Sequence, residues 1–96
     1  MTRDQIIRIL TQHRTALQRL GVRSLALFGS AARDEAGLAS DVDLLVEFSE
    51  PVGLFKFLDV KAYLERILGC PVDLATPDAL KRQLRDAILA EAVNAI

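Results

Sequence analysis

Phe28-Gly29-Ser30-Ala31-Ala32-Arg33 and, with ten residues between Ser30 and Asp41, Asp41-Val42-Asp43-Leu44-Leu45-Val46 are the stretch whose reading decides the fold. Leu25 to Phe28 reads as a short buried strand. Gly29 permits a tight turn and a close backbone approach, and Ser30 is placed to cap a short helix through Ala31, Ala32 and Arg33. Free N–H groups at such a turn attract anions. In the second half of the stretch, Asp41 and Asp43 lie two apart at the head of an apolar run, and residues two apart in a strand share a face. Two carboxylates side by side repel each other, and a divalent cation relieves that repulsion. Mg²⁺ suits the arrangement, because it takes oxygen ligands and keeps positions open for substrate phosphates. One loop therefore reads as a phosphate site and the strand after it as a metal site.

Working outward, Thr2-Arg3-Asp4-Gln5 reads as a capping box that opens a helix. Ile6, Leu10, His13, Leu17 and Leu20 mark one face of it, and Gly21 ends it. Strands are expected at about Ser24 to Phe28, Val42 to Phe48 and Val72 to Ala75. A helix is expected from Leu54 to Leu68, with Phe57, Val60, Leu64 and Ile67 as its apolar stripe and Gly69 closing it. Thr76 and Pro77 read as the start of a last helix that reaches about Val93, with Leu80, Leu84, Ala87, Ile88 and Glu91 or Ala92 turned inward. The loop between the first two strands is short for a parallel crossover, so these strands are expected antiparallel. The expected architecture is α/β (α+β): a small mixed sheet of three to four strands with helices packed on one face. The opposite face is expected to be partly open and to carry the carboxylates.

Composition bounds the function. The 96 residues read as a single domain over residues 1–96, and a 51% apolar content argues against disorder. Twelve basic against thirteen acidic residues, a net charge of −1, give no electrostatic footprint for nucleic acid. The lone Cys70 excludes an internal disulfide and fits a reducing, cytoplasmic setting. No signal peptide or membrane span is expected from the N-terminal charge pattern and the short apolar runs.

The stretch as a whole resembles the nucleotidyltransferases built like the palm of DNA polymerase beta, whose signature is Gly-Ser, a spacer, then Asp-x-Asp. The Ala-Ala-Arg after Ser30 and the run from Ser40 to Val46 are most similar to the minimal nucleotidyltransferases, the antitoxin partners of HEPN-domain toxins. The resemblance continues through Val72-Asp73-Leu74 and Thr76-Pro77-Asp78-Ala79-Leu80, so it covers roughly residues 22 to 93. It implies catalytic and metal-binding roles for Asp41, Asp43 and Asp73, with Asp73 also a candidate base for the attacking hydroxyl. It implies nucleotide binding by Gly29, Ser30, Arg33 and Ser40, with Ser30 a phosphate ligand rather than a nucleophile. Where the commonest family pattern has Gly after this Arg, the chain has Asp34, which adds negative charge near the phosphates.

The implied activity is Mg²⁺-dependent transfer of AMP from ATP, with two metal ions, to a hydroxyl of a HEPN ribonuclease toxin, most simply a tyrosine. No direct nucleic-acid partner and no membrane partner are expected. Two other readings remain open: a steric antitoxin without activity, and a small-molecule nucleotidyltransferase. The absence of an acceptor domain speaks against the second. His13 reads as a core or edge histidine and Cys70 as a packed small hydrophobe. Lys81, Arg82 and Arg85 read as the solvated face of the last helix, and Glu47 continues the Asp41–Asp43 face further from the loop.

Overall fold

The computed structural model describes residues 2–32 and 41–96. Ten elements follow in order: helices α1 (Arg3–Gln12) and α2 (Arg14–Arg19), strand β1 (Val22–Phe28), a single helical turn α3 (Gly29–Ala32), strand β2 (Val42–Phe48), helix α4 (Leu54–Leu68), strand β3 (Val72–Ala75), a 3₁₀ turn (Pro77–Ala79), helix α5 (Arg82–Glu91) and the two-residue strand β4 (Val93–Asn94).

The sheet order is β3-β2-β1-β4. β1 runs antiparallel to β2 and to β4, and β2 runs parallel to β3. The sheet is therefore mixed, with the antiparallel first pair that the short connecting loop requires. Leu25 faces Val46, Leu27 faces Leu44 and Leu44 faces Leu74 across the ladders. These side chains point to one side and meet Ile6, Leu10, Leu17, Val60, Leu64 and Leu68 from α1, α2 and α4. Fully burying such side chains is worth about 1.5–3 kcal/mol each before conformational entropy is counted. The alternate residues point to the other side. Phe28, Asp43 and Asp73 form one row across three strands, and Ala26, Leu45 and Ala75 form the next.

Local chemistry explains the helix boundaries. Thr2 and Gln5 make a reciprocal capping box at the start of α1. Gly69 ends α4 in the left-handed conformation at φ 70°, where its N–H bonds the Glu65 carbonyl.

Two expectations are corrected here. The first helix is not continuous to Leu20. It breaks at His13 (φ −104°, ψ 14°), whose N–H is shared between the Ile9 and Leu10 carbonyls while Nδ1 lies 2.9 Å from the Ile9 carbonyl oxygen. The break lets Leu10 and Leu17 both reach the core from two short segments. The last helix is also shorter than expected. Leu80 and Lys81 are extended, so Pro77 opens only a 3₁₀ turn, α5 begins at Arg82, and the chain after α5 adds β4 to the edge of β1.

The face of α5 differs as well. Arg85 and Ile88 are half-buried, whereas Leu84 and Leu89 remain exposed. α5 packs against β1 and α3 and adds no side chain to the main core. Leu45, buried at 4% exposure, also lies outside that core, on the side of the sheet that carries the carboxylates.

Candidate active site

The site begins where β1 turns into α3. Gly29 has φ 63°, a left-handed conformation that residues with a side chain rarely adopt. Space also excludes a side chain. A Cβ at Gly29 would lie 3.3 Å from Cγ of Asp43 and would overlap its Oδ2. The glycine is thus required by its backbone angle and by the carboxylate packed against it. α3 then places its backbone beside both strands, touching β1 and β2.

Asp43 is the second residue of β2, directly opposite Phe28 on β1 and Asp73 on β3. Parallel pairing in register sets the Asp43 and Asp73 carboxylates side by side. Burial raises the Asp43 carboxyl above its ordinary value. The negative charge of Asp73, a hydrogen bond shared with Asp73, and the charge of Asp41 push it further the same way. Asp41 sits just before β2, exposed, on the same side as Asp43. Glu47, at the far end of that face, is engaged elsewhere: its Oε2 accepts from the Arg23 guanidinium in an exposed ion pair.

Three sequence-derived site residues, Asp41, Asp43 and Asp73, are therefore brought to one end of one face, with Gly29 behind them. Ser30 lies in α3. Arg33 and Ser40, the other two candidates for nucleotide contact, lie outside the described residues. Among the described residues, no three acidic, His or Cys side chains stand close enough to enclose a metal ion on their own. The donor set nonetheless fits Mg²⁺. Two adjoining carboxylates supply hard oxygen ligands, and Mg²⁺ ordinarily takes one or two carboxylates and completes its shell with phosphate oxygens and water. Asp43 and Asp73 would hold the ion, and Asp41 would close on it from the exposed side.

One supporting residue carries no sequence signal. Glu65 on α4 accepts the backbone N–H of Val72 through Oε2 at 3.0 Å and stands 3.8 Å from the Lys61 ammonium. It anchors the first residue of β3, next to Asp73. Its partner is seven residues away, across the turn at Gly69, and neither a motif nor a periodicity links the two.

A glycine turn against a strand-borne acidic pair, with a third carboxylate on the neighbouring strand, defines a nucleotidyltransferase of the polymerase-beta palm type. The family model for the Nucleotidyltransferase domain matches residues 10–95, and the chain belongs to that family. It is 44% identical over 94 residues to the protein adenylyltransferase MntA of Thermococcus cleftensis, covering 97% of this chain and 95% of that one. A solved structure of a proposed minimal nucleotidyltransferase superposes with a TM-score of 0.83 at 34% identity, covering 97% of this chain and 95% of the other. At 15% identity the fold alone is shared with a chain of a solved complex between a tri-AMPylated Shewanella oneidensis HEPN toxin and an MNT antitoxin (TM-score 0.59, covering 90% of this chain and 71% of that one). The protein is a minimal nucleotidyltransferase enzyme.

Proposed function

We propose that this nucleotidyltransferase transfers AMP from ATP to a hydroxyl of a HEPN-type toxin, with Mg²⁺ at Asp41, Asp43 and Asp73, and thereby acts as the antitoxin. The observation that carries the reading is the in-register pairing of the half-buried Asp43 with the exposed Asp73, two carboxylates set side by side on neighbouring strands. The bound ion would supply positive charge to the α-phosphate and lower the pKa of a bound hydroxyl. Asp43 and Asp73 would hold that ion, and through it the reacting end of the nucleotide. The Gly29–Ser30 turn, clear of any side chain at Gly29, receives the β- and γ-phosphates. The acceptor oxygen attacks the α-phosphorus in line, its proton passes to Asp73, and the bond to the pyrophosphate oxygen breaks.

A protein partner is supported by an exposed apolar surface at the start of α4. Leu54 and Phe55 open α4 at 67% and 84% exposure, and Leu58 follows one turn on at 45%. Such a cluster of large apolar side chains commonly marks a protein contact. The relatives point the same way, one by its name as a protein adenylyltransferase and one by the AMP groups on the toxin it accompanies.

The test mixes the chain with its cognate HEPN-type protein, Mg²⁺ and ATP, and reads the partner's intact mass. The wild type should add AMP units, and Asp41→Ala should bind the partner without modifying it. Equal neutralisation by both forms with no change in mass would make the chain a steric antitoxin and end the enzymatic reading of its target.

A further inference from the structure

We infer that Arg85 is a nucleoside-binding residue of this site, donating from its guanidinium to the ribose or base of the bound nucleoside triphosphate. The inference rests on the proposed use of a nucleotide and adds the group that holds the nucleotide's other end. Arg85 belongs to the half-buried stripe of α5, one turn before Ile88, not to its solvated face. Its Nε–H is shut off from solvent and meets no acceptor. Its Nη2 donates a long, exposed 3.5 Å hydrogen bond to the Asp78 carbonyl. A guanidinium has five donors, and a buried donor left without a partner costs about 1–3 kcal/mol. Native structures rarely keep such groups without a reason, and a missing ligand is one of them.

Position tells which part of the ligand Arg85 meets. The Gly29–Ser30 turn follows β1, Asp43 lies on β2 and Asp73 on β3. At about 4.8 Å per strand, β1 and β3 are about 10 Å apart. A nucleotide whose terminal phosphates sit at the turn and whose α-phosphate lies over the acidic pair therefore carries its nucleoside to the β3 side. Arg85 is in the first turn of α5 and reaches the carbonyl of Asp78, in the 3₁₀ turn that follows β3. The far end of α5 leads instead into β4, beside Ala26 and Leu27. α5 packs against β1 and α3, and Arg85, near its start, stands closer to the β3 side than the far end of the helix does, on the side to which the nucleoside points.

The test compares wild type, Arg85→Met and Arg85→Lys by calorimetry with two probes in Mg²⁺, ATP and inorganic tripolyphosphate, and records the melting temperature of each form. Arg85→Met should weaken ATP binding about tenfold or more, the worth of a hydrogen bond from a charged donor, and leave tripolyphosphate binding unchanged. Its melting temperature should hold or rise, because an apolar side chain of similar length removes the orphaned donor. Arg85→Lys, which keeps the charge but not the fork, should lose ATP affinity as well. Equal weakening of both probes would place the contact on the phosphates and overturn the nucleoside assignment, as would full affinity in Arg85→Lys. A large loss of stability in Arg85→Met with unchanged ATP affinity would make Arg85 a structural residue. Failure of the wild type to bind ATP would instead strike the proposed function itself.

Discussion

The backbone of Gly29 lies against the carboxylate of Asp43, so closely that the smallest side chain would collide with it. The turn proposed to receive phosphates and the carboxylate proposed to hold the metal are therefore one packing unit. Gly29→Ala meets two obstacles, a φ of 63° and the Asp43 oxygen. It should destabilise the fold by about 1–2 kcal/mol, since Ala at a positive φ costs more than the usual Gly-to-Ala gain. It should also displace Asp43 and abolish transfer. Thermal melts and an activity assay check both, and a fully active Gly29→Ala protein would disprove the coupling.

Asp43 makes stability depend on pH in a stated direction. Its carboxyl is raised above 3.8 in the folded chain, so between that value and the folded one the native state holds more protons than the unfolded state. Without metal, stability should therefore fall as pH rises through that window. Asp43→Asn should remove this slope and leave the protein as stable or more stable at neutral pH. Mg²⁺ with ATP should reverse the slope for the wild type alone. Urea titrations at several pH values, with and without chelator, provide the measurement.

Much of this was legible in the residues. β2, β3 and α4 carry clear signals: an apolar run behind Asp41, Val72-Asp73-Leu74, and a stripe closed by Gly69. The bounds expected for these three elements are those observed. The antiparallel β1–β2 pair followed from loop length. What was illegible depends on tertiary contact. Two residues make β4 a strand only because the edge of β1 is free to pair with them. The half-burial of Arg85 reverses what hydropathy suggests, because α5 packs against β1 and α3 and sends no side chain into the main core. His13 breaks a helix whose apolar spacing runs straight through it.

Asp41 separates chemistry from folding. It is exposed and precedes β2, so Asp41→Asn should change stability by no more than about 0.5 kcal/mol, as surface substitutions do. It takes one of three charges from the acidic end, and the affinity for ATP with Mg²⁺ should fall while affinity for metal-free ATP does not. Calorimetry with and without the metal distinguishes the two. Equal loss in both conditions would remove Asp41 from the metal site.

Glu65 tests whether β3 is a passive carrier of Asp73. Its carboxylate accepts the Val72 N–H at 3.0 Å, and Lys61 stands 3.8 Å away on the preceding turn of α4. Val72 is buried and pairs with Val42, so the two residues set the level at which Asp73 meets Asp43. Glu65→Ala leaves that N–H without its acceptor at the start of an edge strand, a loss of about 1 kcal/mol. Glu65→Gln keeps an acceptor oxygen and loses only the weak exposed ion pair with Lys61, worth at most about 0.5 kcal/mol. Transfer should thus drop in Glu65→Ala and recover in Glu65→Gln, although neither change touches the nucleotide. Hydrogen exchange at the Val72 amide reports the anchor directly: protection should fall in the Ala variant and persist in the Gln variant. Equal activity and equal protection in all three forms would mean that the β2–β3 ladder alone positions Asp73.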